Sequence, residues 1–133
     1  MRNVAIQVIL VAFGSSLGGV TRWAVTVWFA EWFGRAFPWG TLFINVSGSL
    51  FLGWFLTVTD ERLSGLLWIA PGNLRLLVGT GFTGAFTTFS TFEYESHDLL
   101  TRELRLAAAA YVALSVFLGL LAVQAGVLLA GRR

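Results

Sequence analysis

Four stretches of this chain carry no charged side chain at all: Val4 to Thr21 (18 residues), Ala36 to Thr59 (24), Leu76 to Phe92 (17) and Leu106 to Gly131 (26). A helix needs roughly 20 apolar residues to cross about 30 Å of hydrocarbon. The runs therefore predict an all-α membrane protein with four transmembrane helices, over about 4–29, 39–59, 74–97 and 104–129. Arg22 near the end of the first and Arg75 near the start of the third can snorkel to the interface. Charged residues make up 12% of the chain, about half the fraction a soluble domain needs. Residues 1–133 thus read as a single four-helix transmembrane domain. The first apolar run continues past signal-peptide length with no clear small-x-small cleavage site, so it is expected to remain as a helix.

The third run is the one that resists being a plain helix. Gly79-Thr80-Gly81-Phe82-Thr83-Gly84 is followed by Ala85-Phe86-Thr87-Thr88-Phe89-Ser90-Thr91-Phe92, and glycines with β-branched and hydroxyl residues are poor helix formers. A break is expected there. Broken backbone at membrane depth survives only where it is buried in protein or lines a cavity. Carbonyls freed around Gly84 and Thr87 would then face something that takes oxygen ligands, a cation or a water. Gly79 to Gly84 also spells G-x-G-x-x-G, but no strand precedes it, which argues against a dinucleotide site.

Polar residues recur at helical spacing elsewhere. Thr41, Asn45 and Ser49 place a polar stripe on one face of the second helix, and Tyr111, Ser115 and Gly119 a polar-to-small stripe on the fourth. Interhelical hydrogen bonds would account for each alone; as a set they favour a pore or cavity face. Gly14 and Gly18 form a G-x-x-x-G pair, a close-packing signal, and Trp23, Trp28 and Trp32 mark an interface. Glu93, Glu95, His97, Asp98 and Glu103 follow the expected break and read as the solvated mouth of a helix in preference to a metal cluster.

Several function classes drop out. There is no cysteine and one histidine, and no nucleophile–base pair is evident, so the chain does not read as an enzyme. All nine basic residues are arginines, scattered singly at helix ends, and this is no nucleic-acid patch. With four spans, Arg2, Arg62, Arg75, Arg132 and Arg133 share one side, and Arg22, Arg35, Arg102 and Arg105 the other. Orientation follows the difference in Lys/Arg between sides, and a difference of one permits insertion both ways, hence an antiparallel dual-topology homodimer. The available donors are Asn amides, hydroxyls and the positive edges of phenylalanine rings. Phe89 and Phe92, three residues apart, fall on one side of a helix. Such groups make an anion path of weak, multi-site binding; plain packing is the alternative for the rings.

Three motifs in order resemble the Fluc (CrcB-type) fluoride channel family over nearly the whole chain: Gly18-Gly19-Val20-Thr21-Arg22-Trp23, Pro38-Trp39-Gly40-Thr41-Leu42-Phe43-Ile44-Asn45, and Gly81 to Phe92. The resemblance implies passive fluoride efflux across the bacterial inner membrane, through two pores along the interface of an antiparallel dimer. It implies Phe89 and Phe92 as ring edges at fluoride, Asn45 beside them, Ser90, Thr91, Thr41, Tyr111 and Ser115 as further donors, and Arg22 as a vestibule charge. It also implies a structural sodium ion on the dimer axis, held by the main-chain carbonyls of Gly84 and Thr87 from both copies. Where some members carry Ser after the third motif this chain has Glu93, a carboxylate near an anion exit that bears on conductance or gating. A small dual-topology drug/proton antiporter is the competing architecture, but it needs a carboxylate in the first span, and Val4 to Trp28 has none.

Overall fold

The computed structural model describes residues 4–61 and 70–131; Arg2, Arg62, Arg132 and Arg133 of the arginine balance lie outside them. Helix α1 spans Val4–Phe33, four residues beyond the expected end. Nothing in the Trp-rich segment stops it until Gly34, whose φ of 73° supplies the left-handed residue that closes a helix. Helix α2 spans Trp39–Glu61. Pro38 stands just before it and its carbonyl accepts from the Leu42 amide at 3.2 Å.

The third rod is composite. It starts as α3 (Pro71–Leu74) with proline in its first turn, continues as a π-helical segment (Arg75–Thr83), and ends its first half as α4 (Gly84–Phe86). Thr87 and Thr88 are then extended, at φ/ψ of −75°/157° and −151°/120°. Helix α5 (Phe89–Thr101) resumes with Thr88 as its N-cap, and α6 (Arg105–Leu129) follows a short turn.

Helicity is therefore interrupted at the two threonines and not at the glycines. Gly79, Gly81 and Gly84 stay helical, wound with i to i−5 bonds such as the Gly84 amide to the Gly79 carbonyl. Of the three, Gly81 is the one that close packing demands, since a methyl group there would press on the Val11 carbonyl and on Gly14. A methyl group added to Gly14 would collide with the Leu77 carbonyl, and one on Gly18 with the Phe82 carbonyl. The G-x-x-x-G pair of α1 thus lies directly on the π-helical backbone. At the other large contact, Gly53 and Gly126 bring α2 and α6 together: a methyl group on Gly53 would meet Val123, and one on Gly126 would meet Leu50. Ile44, Leu99, Ala108 and Tyr111 are buried between the rods.

Among the described residues, three helices are long and apolar enough to cross a membrane: Val4–Phe33, Trp39–Thr59 and Arg105–Leu129. The outward surface is apolar, with Ile9, Phe13, Trp23, Phe117, Leu120 and Leu129 all exposed. Such a contiguous apolar coat calls for lipid or another protein surface against it.

Candidate functional site

The site is built outward from Thr87 and Thr88. In an unbroken helix the Thr88 amide would close onto Gly84, and the Thr91 amide onto Thr87. Instead, the Thr88 N–H donates to Asn45 Oδ1 at 2.8 Å and the Thr91 N–H to Thr88 Oγ1 at 3.3 Å. The carbonyls of Gly84 and Thr87 are thereby released from their helical donors, and Gly84 is exposed on the surface of the chain. These are the two carbonyls expected from sequence to face a cation, and hard cations take oxygen ligands. On the far side of the break, the first amides of α5, at Phe89 and Ser90, have no acceptor within the helix and carry its positive dipole end.

Asn45 ties the break down. Its Nδ2 donates to the Thr88 carbonyl at 3.0 Å while its Oδ1 accepts from the Thr88 amide. One side chain thus satisfies both backbone polar groups of the residue that leaves the helix, a role sequence reasoning did not foresee for it.

Beside the break a groove of about 280 Å³ opens between α2, the threonine link, α5 and α6. Asn45, Ser49, Thr88, Phe89, Phe92 and Ser115 contribute to its wall, so Asn45 and Ser49 of the α2 stripe meet Ser115 of the α6 stripe in one cavity. The Phe89 and Phe92 rings lie 5.7 Å apart at 44°. Phe89 is 69% exposed, so the groove is open on one side of the single chain. The Ser115 hydroxyl is buried with no hydrogen-bond partner. An unpaired buried hydroxyl costs about 1–3 kcal/mol, which an acceptor entering the groove would recover.

Above the groove, Phe92 packs against Tyr111 at 5.2 Å, and a hydrogen-bonded triad begins. Thr41 Oγ1 donates to Glu95 Oε1 at 2.9 Å and the Tyr111 hydroxyl to Glu95 Oε2 at 2.8 Å. Here the reading of the acidic cluster needs correction. Glu93, His97, Asp98 and Glu103 are exposed, but Glu95 turns inward and puts a carboxylate among polar groups expected to be uncharged. A signal existed: Thr88, Phe92, Glu95 and Leu99 recur at helical spacing and form the inner stripe of α5. Among the described residues no three His, Asp or Glu side chains converge as a metal site would require.

Other expected residues are placed differently. Ser90 and Thr91 are exposed, and neither lines the groove. Thr91 is engaged in the α5 cap, its Oγ1 accepting from Thr88 Oγ1 at 3.0 Å. Arg22 sits half-buried on α1 and is not part of the groove wall.

Comparison with known proteins adds an independent line. A family model described as CrcB-like protein, Camphor Resistance (CrcB), matches residues 9–127. The chain is 42% identical over 121 residues to a protein of Trichormus variabilis named fluoride-specific ion channel FluC, covering 91% of this chain and 85% of that one. A Synechococcus protein of the same name is 43% identical over 120 residues (90% and 88%), and one from Rhizobium johnstonii 44% over 121 (91% and 93%). The relatives are ion channels, not enzymes.

Proposed function

Because the chain belongs to the CrcB-like family, a multi-pass family of the bacterial inner membrane, we propose that it is a fluoride-selective channel giving passive fluoride efflux. The observation that carries this reading is the groove itself: two phenylalanine rings, the Asn45 amide and the unpartnered Ser115 hydroxyl converge on one small cavity. Fluoride is small and accepts hydrogen bonds strongly. Hydroxyl and amide donors replace part of its hydration, and ring edges add weak positive potential without a fixed charge that would trap the ion.

The channel works as an antiparallel dimer with two pores. The groove is open beside the exposed Phe89 ring, and a second copy would close it. The interruption at Thr87 and Thr88 then lies at membrane depth, buried by the partner as such backbone requires. The released carbonyls of Gly84 and Thr87 fit a sodium ion shared by both copies. When bound, sodium would supply a positive charge that balances the carbonyl dipoles at the break.

Glu95 revives one element of the antiporter reading, since a carboxylate does stand inside the fold. Fluoride efflux from liposomes holding the pure protein separates the readings, with chloride as control. A channel moves fluoride without a pH gradient once valinomycin carries compensating potassium. Flux of neither halide, or of both equally, would sink the selective channel. Flux only against a proton gradient would favour coupled export.

A further inference from the structure

A second cavity, of about 290 Å³, lies beyond the triad, between the end of α1, the α1–α2 turn and α5. Thr41 and Glu95 belong both to its wall and to the triad, and Arg35 and Asp98 complete its ionisable lining. It has no wall residue in common with the groove. Between the two stands Tyr111, with Phe92 on one side at 5.2 Å and Phe37 set edge-on at 5.5 Å on the other. Tyr111 is fully buried there in a cluster with Leu42, Leu99 and Ala108, so a packed layer separates groove from cavity, and the triad's hydroxyls and carboxylate are the polar groups within it.

The charges of this cavity are unequal in their engagement. Glu95 accepts from two hydroxyls, and Asp98 pairs with Arg102 at 3.4 Å. Arg35 is exposed and forms no ion pair among the described residues. We propose that this cavity is the aqueous outlet of the conduction path and that Arg35 is the charge that gathers fluoride at it. The proposal rests on the fluoride-channel reading above. An ion passing from the groove to this cavity must regain its water, and a cavity of this size holds several molecules. It must also pass a carboxylate that repels it. An unpaired guanidinium at the rim offsets that repulsion and raises the local anion concentration. Arg22, the vestibule charge implied by the family resemblance, is not part of this wall.

The test compares Arg35→Glu and Arg35→Lys with the unaltered protein in the liposome assay, at two ionic strengths set with a salt of an impermeant anion. At about 10 mM the screening length is about 30 Å and at about 1 M it is about 3 Å. Arg35→Glu is expected to carry fluoride at least about threefold more slowly at low ionic strength and within about twofold of normal at high. Arg35→Lys stays near normal at both. Normal flux through Arg35→Glu at low ionic strength overturns the proposal, as does an equal loss at both strengths. Because the chain has no cysteine, Ala30→Cys in the cavity wall gives a unique thiol for a bulky impermeant thiosulfonate. Labelling should cut flux by at least about half relative to the unlabelled variant, whereas full labelling without loss overturns the outlet. An unaltered protein that passes no fluoride fails the channel reading itself, and is distinguished by being measured first.

Discussion

Two side chains separate the chemistry of this site from its scaffolding. Phe92 touches both the groove and Tyr111, so Phe92→Ile keeps an apolar side chain while removing the ring edge. Fluoride flux is expected to fall by at least about tenfold, with the thermal unfolding midpoint changed little, because a branched aliphatic partly refills the space. Normal conduction by this variant would overturn the ring-edge mechanism and leave the channel assignment intact. Asn45→Ala is expected to behave otherwise. It strips both partners from Thr88, and each buried unpaired backbone group costs about 1–3 kcal/mol, so stability and flux should fall together in paired melting and efflux measurements. The two roles of Asn45 differ in how far sequence could reveal them. An Asn in an apolar run announces a polar task, but its partner at Thr88 is 43 positions away. No helical periodicity reaches that far. Glu95 was legible in principle from the inner stripe of α5, and was obscured by its exposed acidic neighbours.

At the scale of elements, the charge-free runs and caps were readable because hydrocarbon thickness and backbone geometry act locally. Gly34 and Pro71 close and open helices where glycine and proline should. The glycines of the third rod were misleading for a physical reason. Propensity scales penalise glycine for backbone freedom, but here close contact of Gly81 with α1 restrains that freedom, and the helix persists in π form. The consequence can be measured on α1. Gly18→Ala forces a methyl group into the Phe82 backbone, whereas nothing lies within 4 Å of a methyl group at Gly19. Gly18→Ala should destabilise by at least about 1–3 kcal/mol, and Gly19→Ala should be neutral or slightly stabilising through better helix propensity. Thermal unfolding in detergent decides between them; equal effects would mean that the α1 contact is not set by glycine.

For the whole molecule, the balance of arginines and the one-sided groove point to the same arrangement, and each has its own test. Reporter domains fused to the C-terminus, one active only in the cytoplasm and one only outside it, should both be active. Two arginines added after Arg133 should silence one of them. A single active reporter on the unaltered chain would exclude opposed copies. Replacing sodium with a large organic cation throughout purification should lower the melting midpoint of the dimer if sodium joins the copies, since a ligand that binds only the assembled state stabilises it by mass action. An unchanged midpoint and unchanged flux would leave the carbonyl pair without a cation.

The interruption at Thr87 and Thr88 makes two inheritances inseparable. The same turned peptides expose carbonyl oxygen on one side of the kink and open the amide end of α5 on the other. In the channel proposed above, affinity for a positive ion and permeability to a negative one would therefore hang from one knot, tied by a single asparagine. Substitutions at Asn45 and Thr88 should accordingly fail to add: in a double-mutant cycle the second change costs less than it does alone, by about 0.5–3 kcal/mol for groups in one network. If both proposed sites exist, a lineage drifting at either position would lose them together, and neither could be tuned there without the other.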